Sequence, residues 1–159
     1  MTHVGNALLD TTILLEKARI VSGMHVADFG CGKTGHVVFP VSFGVGEEGV
    51  VYAVDILQDA LISIDKRAKS QAMHNIHTIW SDLERVGKTC IPENSLDVVY
   101  IVNVLSIAHN RHAYLEEAQR LLKNKGRIIV ADWVPSELPI APEKGVCLAF
   151  DNIEQWARM

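Results

Sequence analysis

Hydrophobic residues in this chain are concentrated in short runs that alternate with longer segments of mixed polarity. The runs are rich in valine and isoleucine and apolar at most positions, which is typical of strands buried on both faces of a parallel sheet. They predict five strands, at residues 25–29, 50–54, 76–80, 96–102 and 127–133.

The segments between these strands have helical spacing. Residues 57–70 repeat apolar side chains at i, i+3, i+4 and i+7, residues 6–20 predict a leading amphipathic helix, and residues 111–123 predict another. Alternating strands and helices are joined by right-handed crossovers. The pattern therefore predicts an α/β fold, a Rossmann-like doubly wound parallel sheet of about five strands flanked by helices.

Two segments are less regular. A helix is expected after Gly35, but Pro40 is tolerated only in its first turn, so this helix starts later than the glycines alone suggest. Residues 134–149 contain three prolines and are expected to be irregular. Asp151 or Asn152 can then cap a last helix.

Residues 26–55 form a strand–helix–strand unit with a candidate ligand site. Three glycines, Gly30, Gly32 and Gly35, follow the first strand and allow the backbone to turn tightly towards the helix. A helix N-terminus offers free N–H groups to an anionic ligand. Asp55 ends the second strand, where a carboxylate can accept two hydrogen bonds from a ribose diol. The unit predicts a ligand that contains a nucleoside.

Composition restricts the class of protein. The 159 residues suffice for one domain, with residues 1–22 as a leading helix, 23–133 as the core and 134–159 as a loop and last helix. Because the chain is 48% hydrophobic with a mean hydropathy of +0.15, part of its surface is expected to be covered by a partner or second subunit. A net charge of −4 without a basic cluster disfavours nucleic-acid binding, except for RNA held by a local patch.

The cysteines and the N-terminus indicate a compartment. Cys31, Cys90 and Cys147 are too scattered for a disulfide framework or a zinc site, and no metal is expected. The first ten residues lack the basic region and apolar core of a signal peptide, and no apolar run reaches the length of a membrane span. These features predict a cytoplasmic protein.

The loop GCGKTG is compatible with three kinds of site. It fits the G-x-G-x-x-G pattern of dinucleotide-binding proteins, with Asp55 downstream. The sequence ADFGCGKT is also one residue away from a P-loop, with Ala27 in place of the first glycine. Finally, Asp28 before the glycines, with Asp55 and Asp82 at the ends of the next two strands, is similar to the S-adenosylmethionine site of class I methyltransferases.

The context of the loop favours the third interpretation. A P-loop needs several free residues before its Gly-Lys pair, whereas residues 26–29 have the composition of a strand end. A dinucleotide has no special use for an acid after the third strand. An adenosyl ligand does, because the Asp82 carboxylate can accept from the adenine amino group.

Five segments, in order, resemble class I S-adenosylmethionine-dependent methyltransferases: VADFGCG, VYAVDI, WSDLE, VNVL and LEEAQRLLKNKGRIIVADW. They are most similar to the small-molecule group that includes the ubiquinone and menaquinone methyltransferases, and the match covers about residues 20–133. The resemblance implies methyl transfer from S-adenosylmethionine to a small molecule, with S-adenosylhomocysteine as product.

The resemblance also implies roles for individual residues. The positions expected to line the methionine end of the cofactor are Asp28, Gly30, Cys31, Gly32 and Gly35, with Asn103 beneath that moiety. The positions expected around the adenosine are Asp55 on the ribose hydroxyls, Ile56 on the adenine ring, Asp82 on its amino group and the Leu83 backbone beside it. The glycine motif is one residue longer than usual, which leaves Lys33 either near the methionine carboxylate or as a solvated loop lysine.

Catalysis by such a site depends mostly on positioning, and a general base matters only if the acceptor arrives protonated. His36 and His109 are the candidate bases, although a surface or capping role is the simpler interpretation of each, and His112 is a weaker candidate. Cys31 is interpreted as a small residue in a tight loop and not as a nucleophile. The segment starting at Asn103 lacks an Asn-Pro-Pro-aromatic pattern, which disfavours methylation of adenine N6 or a glutamine amide.

The C-terminus departs from the family pattern. The family fold ends with an antiparallel hairpin, which this sequence lacks after residue 133, so the fifth strand is expected to be a sheet edge. The chain is therefore expected to cover that edge by forming a homodimer or binding a partner, or to be a fragment. The alternative function is a cofactor-binding but inactive module that needs a partner subunit.

Overall fold

The computed structural model describes residues 9–134, 147–148 and 153. In chain order their elements are α1 Thr11–Ala18, β1 His25–Phe29, α2 Val38–Val45, β2 Val50–Asp55, α3 Gln58–Ser70, β3 Ile76–Trp80, β4 Leu96–Val102, α4 Arg111–Leu121 and β5 Leu122–Ala131.

The five strands form one sheet in the order β3-β2-β1-β4-β5, and every neighbouring pair is parallel. The chain leaves β1 towards β2 on one side and later returns to β4 on the other, so the strand order reverses beside β1. Ligands of open α/β sheets bind in the crevice outside the carboxyl ends of the strands at such a reversal. The predicted doubly wound parallel sheet is confirmed, and its topology directs attention to the tip of β1.

Two apolar layers enclose the sheet. Alternate residues of β1 belong to opposite layers, with Val26 on the face covered by α1, α2 and α3, and Ala27 and Phe29 on the face covered by α4. Fully buried members of the first layer are Val38, Val41, Ile64 and Tyr100, and those of the second are Leu96, Ile101, Leu105 and Leu121. Burial on both faces explains why the strand sequences are continuous apolar runs.

Most predicted element bounds are confirmed closely. Strands β1, β3 and β4 have the predicted bounds, while α3 begins one residue later than predicted and α4 ends two residues earlier. Helix α2 begins at Val38, so Pro40 lies in its first turn as expected. The leading helix is shorter than residues 6–20. The Asp10 carboxylate caps it through Thr12 N at 2.8 Å, and Arg19 ends it in a left-handed conformation; residues 6–8 lie outside the described part.

Strand β5 differs from the prediction, which placed it at residues 127–133. It starts at Leu122, which pairs with Leu96, and a register shift absorbs residues 123–126 before Arg127 pairs with Val98. Residues 124–126, which the sequence predicted to lie between the helix and the strand, are therefore an irregularity inside the strand. The strand ends at Ala131.

The chain after β5 returns to the α4 face. Leu148 N donates to Trp133 O at 2.9 Å, and Leu148 and Ile153 are buried in the apolar layer beneath α4. The predicted capping residues Asp151 and Asn152, like most of the predicted loop at 134–149, lie outside the described residues. No helix in the described ranges is both long and apolar enough to cross a membrane.

Candidate functional site

The glycine loop turns at the tip of β1. Gly30, Gly32 and Gly35 have φ angles of +79°, +60° and +55°, a region that side chains disfavour. The amides of Gly30 and Cys31 both donate to Val54 O, at 2.8 and 3.1 Å, which closes the loop onto the end of β2. The loop is therefore held by backbone bonds to a neighbouring strand.

The three glycines differ in the space available to a side chain at each position. A β-carbon on Gly30 would lie 2.5 Å from Val104, and one on Gly35 would lie 2.5 Å from Ile64. Glycine at these positions permits close packing against the segment after β4 and against α3. A β-carbon on Gly32 would meet nothing within 4 Å. Of the three, only Gly32 therefore has open space where a side chain would be.

Asp28 is the most unusual side chain at this tip. It is only 3% exposed, and within the described residues its carboxylate has no hydrogen-bond partner. Burial, and then the negative charge of Asp55, raise the pKa of Asp28 to about 7. It lines a cleft whose other walls are Gly30, Cys31, His36, Val37 and Val102. Because an unpaired buried carboxylate is costly, this cleft favours a ligand with cationic N–H donors.

Asp55 organises the neighbouring part of the site. One of its oxygens accepts from Gly32 N and the other from Leu57 N, both at 2.9 Å. The side chain thus ties the glycine loop to the start of α3, a contact that the sequence analysis missed. A carboxylate has about four acceptor positions, so capacity remains for ligand hydroxyl groups.

An exposed apolar surface flanks Asp55. Ile56 is 52% exposed and Trp80 is 57% exposed. The Trp80 indole donates from Nε1 to Ile56 O at 2.8 Å, which fixes the ring beside the end of β2. A flat aromatic ligand can pack on such a surface.

Asp82 lies after β3, at the same edge of the sheet. Its Oδ1 accepts from Glu84 N at 3.1 Å, while the Leu83 side chain is buried in the α4-side layer and leaves only the backbone for a ligand. Burial, and then the charges of Glu84, Asp55 and Asp82, raise the pKa of Tyr114 to about 12. Several carboxylates therefore create a negative potential at this edge, which favours a cationic ligand.

Asn103 follows β4 directly. It has a left-handed φ of +55°, which asparagine tolerates better than most residues, and its backbone N–H donates to Ala131 O at 2.8 Å. The structure thus brings Asp28, Asp55, Asp82 and Asn103 to the carboxyl ends of four different strands.

Lys33 does not lie in the cleft. Its ammonium group is 3.9 Å from Asp59 Oδ2, and both side chains are more than half exposed. A pair of this kind contributes little to stability.

The two candidate bases have different surroundings. His36 lines the cleft beside Asp28, and its Nε2 is 2.9 Å from Leu9 O. Since a carbonyl can only accept, Nε2 must carry hydrogen, and Nδ1 is the basic nitrogen of the neutral ring. His109 is exposed, and its backbone N–H donates to the Glu84 carboxylate. His112 pairs with Glu116 at 3.8 Å on the outside of α4.

Glu84 and Asp132 are carboxylates to which the sequence analysis assigned no role. Glu84 accepts from His109 N at 3.0 Å and from Asn110 N at 3.1 Å, and Asp132 accepts from Ser106 N at 3.0 Å. Their only sequence signal is the position of an acid near a strand end, in WSDLE and IIVAD. That signal does not reveal which backbone groups they contact.

Other kinds of site have less support. Within the described residues no three His, Cys, Asp or Glu side chains come together as a metal site would require. Burial raises the pKa of the Cys31 thiol far above its usual range, and the charges of Asp28 and Asp55 raise it further. Cys31 therefore stays a protonated thiol and is unsuited to nucleophilic attack.

Comparison with known proteins gives consistent relatives. The sequence profile described as a methyltransferase domain matches residues 20–159. Aklanonic acid methyltransferase DauC of Streptomyces sp. (strain C5) is 33% identical over 86 residues, covering 54% of this chain and 37% of that protein. Sterol 4-C-methyltransferase strm-1 of Caenorhabditis elegans is 26% identical over 121 residues, covering 76% of this chain and 34% of that protein. The chain thus spans about a third of the length of these curated relatives.

Solved structures share the fold. A SAM-dependent methyltransferase from Aquifex aeolicus superposes with a TM-score of 0.83 at 21% identity, over 95% of this chain and 78% of that protein. At this identity the likeness shows the fold, including the five-stranded parallel sheet. Because the family profile covers the glycine loop and all five strands, the chain belongs to the methyltransferase domain family.

Proposed function

We propose that this chain binds S-adenosylmethionine at the carboxyl ends of β1–β4 and takes part in methyl transfer to a small-molecule acceptor. The observation that carries the proposal is Asp28, a buried carboxylate without a partner among the described residues, in a cleft beside the glycine loop. A P-loop or dinucleotide ligand would bring phosphates to this loop, where the negative charge would repel them.

Charge supports the choice of ligand. S-adenosylmethionine carries a sulfonium and an ammonium group, and its ammonium can donate hydrogen bonds to Asp28. The carboxylates at the neighbouring strand ends, Asp55 and Asp82, add to the attraction. When bound, the cofactor supplies an electrophilic methyl group on an activated sulfur.

The position of each residue supports the remaining proposed roles. Asp55 would accept from the ribose hydroxyls with the capacity that Gly32 N and Leu57 N leave. Ile56 would pack on the adenine, Asp82 would accept from its amino group, and the Leu83 backbone would lie beside it. The methionine end would be lined by Gly30, Cys31, Gly32 and Gly35, with Asn103 beneath it. Lys33, whose ammonium group lies outside the cleft near Asp59, would remain a solvated loop lysine.

The acceptor side is less defined. DauC and strm-1 are named for small-molecule substrates, aklanonic acid and a sterol, which supports a small-molecule acceptor here. Where the acceptor must lose a proton, His36 is the better candidate base, because it lines the cleft and His109 is exposed.

The proposal extends to the whole chain. Residues 1–159 are proposed to form a single methyltransferase domain of a cytoplasmic protein. A second copy of the chain, or a partner protein, is proposed to cover the outer edge of β5, because Ile128, Ile129 and Val130 are only half-buried there.

The decisive experiment is calorimetric titration of the purified protein with S-adenosylmethionine and S-adenosylhomocysteine, beside magnesium ATP and NAD. Binding of the first pair alone is the expected result. Asp28→Asn should weaken that binding by about 1–3 kcal/mol, since the hydrogen bond from the cofactor ammonium loses its charged acceptor. Asp65→Asn, which alters an exposed carboxylate on α3, is the matched control and should leave it unchanged.

The outcomes are distinct. Binding of ATP or NAD instead of the adenosyl ligands would overturn the proposal. Binding without methyl transfer to any compound in an acceptor panel would favour the inactive module that depends on a partner subunit.

A further inference from the structure

Residues 103–110 connect β4 to α4 and border the proposed site. Val104 packs against Gly30 of the glycine loop, and His109 lies near the end of the segment. The segment is fixed largely by hydrogen bonds from its backbone to other parts of the chain.

Glu84 makes the most extensive of these contacts. Its two carboxylate oxygens accept from consecutive amides, His109 N at 3.0 Å and Asn110 N at 3.1 Å. Asn110 is the N-cap of α4 and accepts from Ala113 N at 3.2 Å. The Glu84 carboxylate therefore lies at the N-terminus of α4, where the helix dipole favours negative charge.

Glu84 is also connected to the adenosyl end of the site. Its own N–H donates to Asp82 Oδ1 at 3.1 Å, in a turn of two residues. Asp82, the carboxylate proposed to accept from the adenine amino group, is thus linked through Glu84 to residues 103–110.

The chain after Glu84 is hydrogen-bonded to α4. The buried Glu117 carboxylate of α4 accepts from Gly87 N at 2.7 Å and Thr89 N at 3.0 Å, which anchors the rest of the segment after β3 to the same helix. The segment between β3 and β4 is therefore held to α4 at Gly87 and Thr89, and to residues 103–110 at Glu84.

We infer that Glu84 is a positioning residue that couples the adenosyl end of the site to residues 103–110, so that cofactor bound at Asp82 also holds that segment in place. The inference rests on the proposed function. Glu84 itself contacts neither cofactor nor acceptor and acts through its two backbone partners, His109 N and Asn110 N.

The test compares Glu84→Gln with Glu93→Gln by titration with S-adenosylhomocysteine and by amide hydrogen exchange. Glu93 is the matched control, because it is an exposed glutamate of the same inter-strand segment whose recorded contact is with Arg120. Glutamine at position 84 loses the charge and one acceptor oxygen. We expect Glu84→Gln to bind about fivefold more weakly or worse, a typical size for coupling between sites, and Glu93→Gln to bind as wild type.

Hydrogen exchange separates positioning from general stability. In the wild type and in Glu93→Gln, S-adenosylhomocysteine should slow exchange at both residues 30–35 and residues 103–110. In Glu84→Gln it should slow exchange at 30–35 only. Glu84→Asp, which keeps the charge, should restore part of the effect and replaces the glutamine variant if that one fails to fold.

A further readout is the pair Asp82→Asn and Glu84→Gln. If Glu84 acts through Asp82, the double variant should lose less binding free energy for S-adenosylhomocysteine than the two single variants lose together. Equal affinity and equal exchange in Glu84→Gln and Glu93→Gln, in a protein whose wild type binds the ligand, would overturn the inference alone. Failure of the wild type to bind would instead overturn the proposed function.

Discussion

Asp28 is expected to make cofactor binding depend on pH. Its pKa is about 7 in the free protein, because the group is buried and lies near Asp55. A bound ammonium group favours the ionised carboxylate, so binding should release a proton below pH 7. The affinity for S-adenosylhomocysteine should then fall by up to about tenfold for each pH unit below 7, measured by calorimetry.

The variant Asp28→Asn provides the control for this slope, because it removes the titrating group and keeps the shape of the side chain. Its affinity should be lower than that of the wild type and should change little between about pH 5.5 and pH 7. If the variant kept the full slope, a group other than Asp28 would be responsible.

The same carboxyl group should lower stability at alkaline pH. Its folded pKa of about 7 exceeds its ordinary value of 3.8, so the stabilising effect of protonation is complete below about pH 4 and is lost as the pH rises through 7. The difference corresponds to at most about 4 kcal/mol. We expect Asp28→Asn to raise the free energy of unfolding by about 2–4 kcal/mol at pH 8, and by much less at pH 4, in urea titrations.

Equal stability of Asp28→Asn and wild type at pH 8 would mean that the carboxylate is better solvated than its burial indicates. If Asp28→Asn gains stability and loses affinity, the carboxylate is retained for ligand binding at a cost in stability, as is common at binding sites.

At the scale of elements, the buried Glu117 joins α4 to the segment after β3. Its carboxylate accepts from Arg120 as well as from Gly87 N and Thr89 N. Burial alone would raise the pKa of Glu117, but these hydrogen bonds outweigh it and lower the pKa to about 2. The stabilisation is therefore present above about pH 4.5 and is lost as the pH falls towards 2.

Glu117→Gln should reduce the free energy of unfolding by about 3 kcal/mol at neutral pH, because it leaves Arg120 without its buried partner and one backbone amide without a full acceptor. Glu116→Gln, on the exposed side of the same helix, should change it by less than about 0.5 kcal/mol. Equal losses in the two variants would contradict a special role for the buried carboxylate.

The elements themselves could be predicted where local pattern and tertiary structure agree. Strands β1, β3 and β4 were predicted with their observed bounds. The late start of α2 was predicted correctly from Pro40, since the proline ring restricts the backbone whatever the tertiary context. Strand β5 was predicted less well, because a register shift beside Leu96 absorbs residues that elsewhere form a turn.

For the molecule as a whole, the sequence predicted which residues lie at the strand tips but not how they are held. Asp55 ends β2, while Asp82 and Asn103 follow β3 and β4, so the topology places all three along one edge of the parallel sheet. The hydrogen bonds from His109 N to Glu84 and from Gly32 N to Asp55 join residues far apart in sequence, so no local periodicity predicts them.

The outer edge of β5 leads to the last prediction, which concerns assembly. In the described residues, the backbone of β5 is hydrogen-bonded to β4 and to Asn103 directly after it, and Leu148 N donates to Trp133 O just past the strand. Open strand edges with apolar side chains tend to pair with another chain. We therefore expect light scattering to give a mass twice the 17.6 kDa of one chain, and the midpoint of thermal unfolding to fall on dilution, because dimers dissociate as they unfold. A mass of one chain at all concentrations, with an unfolding midpoint that does not depend on concentration, would leave the edge of β5 to a different partner or to the chain's own residues.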